Sequence, residues 1–402
     1  MSCGSLAKAS VKSMVNAMNR LTGHVTVDSG RGGRPHRGCT FALAILATGA
    51  FASLTCARES STPMTEIQPF GSDLNASVAA ADDPTLPLDS AKMSKTDPSM
   101  VAREERIPVG SAALYAREIG RGQAIIVLHG GPDFDHGYLL PEMDLLADSF
   151  RLIYYDQRGR GRSADRVAPE DATLASDVED IDRVMQYFHL ESAALLGHSW
   201  GTVLALEYAL RHPTRVSHLI LMNPAPASAS DYAVLREAYS QKLGADMDRQ
   251  REIMASAAYQ EGDPETVAAR YRLHFKPALV RPEDYEKLMA RMKAAFISQG
   301  SDGIVKSRAI EDRLMSDTWD LDGYDLLPRL RSVSIPTLVI FGDRDFIPGA
   351  ISEHIAEAIP RSRLVTLKSC GHFAYLECPG DVRAALDDFL EVQPRAEASD
   401  GR

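Results

Sequence analysis

Gly197-His198-Ser199-Trp200-Gly201 sets a serine between two glycines at a spacing that suits nucleophilic chemistry. A short apolar run, 193–196, precedes it, and a run with helical periodicity opens at Gly201. The pattern is strand, sharp turn, helix. On such a turn, side chains two positions before and after the serine would collide, and glycine at both places removes the collision. The hydroxyl then stands clear at the strand tip, beside a helix N-terminus that favours negative charge. A serine hydroxyl is a weak nucleophile and needs a base, which an acid must orient. Two later turns offer these groups. Gly342-Asp343-Arg344-Asp345 follows the apolar run 337–341, and Gly371-His372 follows 364–367. His372 is the candidate base. Asp345 is the candidate acid, and Asp343 in the same turn competes with it, read instead as a turn cap. Charge developing on a substrate oxygen needs two backbone N–H donors. Trp200, directly after the serine, offers one. Gly131, in the loop after the run 124–128, lets the backbone approach closely and offers the other.

These residues must sit at strand ends on one edge of a sheet. The continuous apolar run 124–128 suggests a strand buried on both faces, as in a parallel sheet. Further strands are expected at 151–155, 193–196, 216–222, 337–341 and 364–367, after one or two antiparallel strands within 107–118. Residues 173–188 read as a helix, with Leu174, Val178, Ile181, Val184, Met185 and Phe188 on one face. Helices are also expected at 352–359 and 382–390. Alternating strands and helices predict an α/β fold with a mostly parallel sheet flanked by helices. Residues 227–327 are helical and charged without strand runs, too long for a loop, and predict an inserted helical lid. The core is then 103–226 and 328–395. His198 and His129 read as supporting residues, not second bases. Arg158, Arg160 and Arg162 read as a solvated loop braced by Asp156.

With these pieces in place, the chain resembles the prolyl aminopeptidase (proline iminopeptidase) branch of the α/β-hydrolases. The matching stretches are His129-Gly130-Gly131-Pro132, the run from Tyr155 through Asp156-Gln157-Arg158-Gly159 to Ser163, the Ser199 turn, Gly342-Asp343-Arg344-Asp345 and Gly371-His372. They span about 105–392. The resemblance implies catalysis by Ser199, Asp345 and His372 and oxyanion contacts from Gly131 and Trp200. It also implies cleavage of an N-terminal residue from a short peptide or amide, with acidic side chains gripping the free amine. Three departures stand out. Asp133 replaces the last glycine of the family's HGGPG loop, Phe346 stands where some members carry a glutamate, and the Trp-x-x-Trp-Glu lid motif of other members is missing. The lid must therefore supply the amine's carboxylate, and Glu311, late in the lid and shortly before Trp319, is the candidate. An esterase or lactonase acting on small acyl substrates is the alternative enzyme. A non-catalytic receptor that uses the same pocket is the alternative from another class.

The chain has 402 residues, 45% of them hydrophobic, with a formal net charge of -11. An acidic balance without a basic, aromatic-interleaved patch argues against nucleic acid as partner. The partner expected is a small-molecule or short-peptide substrate. No histidine–acid group has metal-ligand spacing and no phosphate loop is present, so neither metal nor cofactor is expected. The first hundred residues differ from the rest. Arg31, Arg34 and Arg37 precede an apolar run, 39–54, and Ala50-Phe51-Ala52 matches an export cleavage pattern. Residues 1–56 read as a targeting segment, with Cys56 a candidate lipid attachment and the only expected route to a membrane. Residues 57–102 read as a flexible linker rich in Ser, Thr, Pro, Ala and Asp. In an oxidising compartment Cys370 and Cys378 can pair across the loop that carries His372. The export reading expects a mature periplasmic or extracellular protein that begins near Ser53 or at a lipidated Cys56. N-terminal sequencing of protein from its native host checks this, and an intact Met1 overturns it.

Overall fold

A computed structural model describes residues 100–391. The export segment, Cys56 and linker residues 57–99 lie outside the described residues. Eight strands form one sheet in the order β1-β2-β4-β3-β5-β6-β7-β8. They are β1 (Arg103–Val109), β2 (Ala112–Gly120), β3 (Gln123–Leu128), β4 (Phe150–Tyr155), β5 (Ala193–His198), β6 (Val216–Met222), β7 (Thr337–Gly342) and β8 (Ser362–Leu367). β1 and β2 run antiparallel, β2 meets β4 antiparallel, and every later pairing is parallel. Ile125, Ile126, Val127 and Leu128 have no exposed surface. A run apolar at every position can be buried on both faces only in the interior of such a sheet. β5 lies centrally, between β3 and β6, and all six of its residues are buried.

The core helices are α1 (Leu174–Tyr187) and α2 (Trp200–Arg211) before the lid. Thr173 caps α1 by accepting from the Ser176 N–H, and the Ser176 hydroxyl accepts from the Thr173 N–H in return. The lid leaves after β6 as α3 (Ala229–Leu243), α4 (Asp246–Ala255), α5 (Pro264–His274) and α6 (Pro282–Asp317). α6 breaks at Gly300, whose φ of 70° is left-handed. After the lid come α7 (Gly349–Ala358) and α8 (Pro379–Phe389). α8 starts three residues earlier than its apolar spacing indicates, because Pro379 takes a first-turn position that needs no N–H partner.

The loop after β4 corrects one expectation. Asp156 does brace it, accepting from the N–H groups of His136 and Arg162, and its Oδ1 lies 2.6 Å from the His136 Nδ1. Yet Arg160 is fully buried, paired with Asp177 and donating to Gln157 Oε1 at 2.8 Å. Arg158 likewise pairs with buried Asp180, while Arg162 stays exposed beside Glu104. A buried guanidinium needs a buried carboxylate. Asp177 and Asp180 lie on α1, where sequence periodicity records only the apolar face.

The turn after β5 is closely packed. A Cβ on Gly201 would lie 2.1 Å from the Leu128 carbonyl oxygen, and one on Gly197 would lie 2.5 Å from the Gly201 oxygen. The collision at Gly201 is thus with the end of β3. Backbone cannot yield as a side chain can, so Gly201→Ala is expected to destabilise the fold by about 3 kcal/mol or more. The check is the urea midpoint, and an unchanged midpoint refutes it.

Candidate active site

Ser199 follows β5 with φ 52° and ψ −120°, a conformation that costs a non-glycine residue about 1–3 kcal/mol. Its surroundings hold it there. The Ser199 N–H donates to the Met222 carbonyl, and the Ser199 carbonyl accepts from both the Thr202 N–H and the Thr202 hydroxyl. Asp345 and His372 come from the turns after β7 and β8. The His372 Nδ1 lies 3.0 Å from each oxygen of the Asp345 carboxylate, and both residues are buried. Asp345 also accepts from Asn223 Nδ2 at 2.8 Å and from the Ile347 N–H at 2.9 Å. Asp343 turns elsewhere, to the Ser369 N–H. It caps the turn, and the carboxylate beside the histidine is Asp345. Phe346 packs edge-on against the His372 ring at 4.7 Å and brings no charge.

Ser199, His372, Gly131 and Glu311 line one cleft with about 450 Å³ of empty volume. Trp200 lies behind it, buried, its ring edge-on to Trp319 of the lid's return. Gly131 has a φ of 130°, open to glycine, and a Cβ there would strike the Asp133 N–H at 2.4 Å. The neighbouring Gly130 N–H already donates to the Tyr138 hydroxyl at 2.7 Å. Gly131 is therefore the candidate donor of that loop. The walls are aromatic: Phe134, Tyr138, Tyr271, Phe275, Phe346 and Phe373.

Two histidines next to catalytic-type residues have fixed structural partners. Tyr138 accepts from Gly130, so its own proton goes to His198 Nδ1, 2.7 Å away. The His198 Nε2–H then donates to the His372 carbonyl at 3.0 Å. Burial, and secondarily the nearby His372, push His198 down to about 3, so it stays neutral. His129 accepts from the Gln157 N–H at Nε2 and donates from Nδ1 to the Gly130 carbonyl. Burial pushes it down to about 3 as well.

A domain model described as the alpha/beta hydrolase fold matches residues 123–379. The chain belongs to the α/β-hydrolase family. Among curated relatives of this hydrolase, a proline iminopeptidase from Heyndrickxia coagulans is 29% identical over 276 residues, covering 68% of this chain and 92% of that protein. A solved proline iminopeptidase-related protein from Thermus thermophilus superposes with a TM-score of 0.55 at 26% identity, covering 73% and 98% of the two chains. The enol-lactonase from Burkholderia xenovorans LB400 superposes with a TM-score of 0.53 at 21% identity, covering 71% and 100%, and shares the fold.

The structure adds residues to the hydrolase site that sequence reading missed. Asp133 lies buried in the cleft, and the Tyr271 hydroxyl of α5 donates to its Oδ2 at 2.5 Å. Burial raises the Asp133 carboxyl, while Tyr271 and Arg270 oppose the rise. Arg270, also on the cleft wall, lays its guanidinium over the Tyr271 ring at 4.4 Å. Asn223 was detectable in principle, since it follows a strand that ends on the same sheet edge as Ser199. Arg270 and Tyr271 were not, because nothing in a helical lid says which turn faces the core. Cys370 and Cys378 form a disulfide, with their Cα atoms 6.2 Å apart. Asp381 lies near both sulfurs, but bonded cysteines are not metal ligands.

His129, His198 and His274 are all held neutral by burial, and all bind a proton more readily once unfolded. Depressed folded values mean that their contribution is complete above about 6.5, the unfolded value, and is lost as pH falls toward about 3. Each can steepen the loss by at most about 1.4 kcal/mol per pH unit. In the folded protein the three rings are expected to stay neutral from pH 7 to 5, read from their ring carbon shifts, and a ring that titrates near 6.5 rules out neutral burial.

Proposed function

We propose that this α/β-hydrolase is a serine hydrolase that removes an N-terminal residue, of the prolyl type, from short peptides or amides. Ser199 Oγ attacks the carbonyl carbon while His372 takes its proton. Asp345 holds the Nδ1–H of His372 and stabilises the imidazolium. The N–H groups of Gly131 and Trp200 receive the charge on the carbonyl oxygen. His372 then protonates the departing amine, leaving an acyl-enzyme on Ser199 that water hydrolyses by the same steps.

The observation that carries the amine specificity is Glu311 on the wall that Ser199 and His372 share. An ammonium stripped of water on entry needs a carboxylate. Asp133 and Arg270 line the same wall. The aromatic walls suit an apolar ring beside the ammonium. The proline iminopeptidase relatives support the same reading. The Cys370–Cys378 disulfide supports an exported protein, since such bonds persist in oxidising compartments.

The test uses two matched amides, one with a free N-terminal amine and one N-acetylated. The unmutated enzyme is expected to favour the free amine. Glu311→Gln is expected to lose about 10- to 100-fold in kcat/KM on that substrate alone, the worth of one hydrogen bond to a charged group. Equal activity on both amides in the unmutated enzyme removes the aminopeptidase reading and leaves an esterase or lactonase. Failure of a fluorophosphonate to label Ser199 removes the enzyme reading.

A further inference from the structure

Glu377 lies five residues after His372 and has no exposed surface. It is the residue next to disulfide-bonded Cys378, just as Gly371 is next to Cys370. Its side chain faces the loop that carries the histidine. Oε2 accepts from the Gly371 N–H at 2.7 Å. Oε1 accepts from the Val280 N–H at 2.6 Å and the Arg281 N–H at 2.9 Å. Val280 and Arg281 belong to the segment that joins α5 to α6, so one buried carboxyl group grips the lid and the histidine loop together. The same segment touches the loop once more, where the His372 N–H donates to the Ala278 carbonyl at 2.7 Å. Gly371 makes the approach possible. A Cβ there would lie 2.2 Å from the Ala278 oxygen and 2.8 Å from Glu377 Oε2.

We propose that Glu377 is a positioning residue for His372, coupling the seat of the lid to the placement of the catalytic base. It touches neither substrate nor reacting atoms. The backbone of His372 has three sets of restraints. His198 holds its carbonyl, Asn223 holds the Gly371 carbonyl at 3.1 Å, and the Glu377–lid cluster holds the two N–H groups. The first two come from the strand ends of the core. The third alone ties the base to the lid. A lid segment that moves away takes the partner of the His372 N–H with it, and Glu377 is then drawn both ways. The proposal holds for an amide or an ester substrate alike and does not depend on the amine specificity.

Glu377→Gln separates the two halves of the grip. Its one oxygen can accept from the lid N–H pair, but its amide NH2 then faces the Gly371 N–H, donor against donor. The expected result is a fall of about 100-fold in kcat with KM within about twofold, the effect of misplacing a catalytic group by an ångström. The rate of fluorophosphonate labelling at Ser199 is expected to fall in parallel. Glu377→Asp, one methylene shorter, cannot reach both partners and is expected to lose less than Glu377→Gln while remaining folded. Leu386→Ala, a buried change on α8, is the control for plain destabilisation and is expected to lower the Tm with kcat preserved. The proposal is overturned if both Glu377 variants keep kcat within twofold. It is also overturned if Leu386→Ala, assayed well below its Tm, loses kcat to the same degree.

Discussion

The contact on which the site depends is backbone against backbone. Gly201, at the start of α2, sits so close to the Leu128 carbonyl that no side chain fits between them. That contact joins the Ser199 turn to the end of β3. The loop carrying Gly131 begins at the same place, so one approach sets both the serine and the candidate oxyanion donor. The left-handed φ of Ser199 follows, because the chain must reverse from strand to helix within one residue. The strain persists because Met222 and Thr202 hold the residue from both sides.

The polar groups around this contact are arranged to keep positive charge from accumulating. His198 ends β5 with its ring 5.1 Å from that of His372. If both were charged, the two imidazolium rings would repel at close range. Burial and the hydrogen bond from Tyr138 keep His198 neutral, and its one remaining proton anchors the His372 carbonyl. His372 is therefore held at Nδ1 by Asp345, at its carbonyl by His198 and at its N–H by Ala278 of the lid. Three parts of the chain, far apart in sequence, converge on one residue.

The lid contributes more than a cover. Tyr271 reaches Asp133 in the loop after β3, Lys242 donates to the Asp345 carbonyl at 2.6 Å, and residues 278–281 meet the histidine loop. The loops after β3, β7 and β8 thus each have a partner in the inserted lid. Asp133 is informative here. At a position that the resembling family fills with glycine, this chain has a buried acid that needs partners, and α5 supplies them.

By itself, the sequence determined the order of strands and helices and the three turns that bear Ser199, Asp345 and His372. Local physics is enough for that. A strand buried on both faces must be apolar throughout, and a strand-to-helix reversal at a serine needs glycine around it. Chain order and loop reach favoured Asp345 over Asp343 in the same turn, and the direction of the two carboxylates in the structure agrees, Asp345 toward His372 and Asp343 toward the Ser369 N–H. Burial of Arg160, the neutral tautomer of His198, the meeting of Asp133 with Tyr271 and the triple grip of Glu377 belonged to the tertiary structure alone. Each joins residues separated by a crossover or by the lid, and each depends on which way a side chain points. Hydrophobic periodicity records which face of an element is buried. It carries no record of which distant polar group will be waiting there.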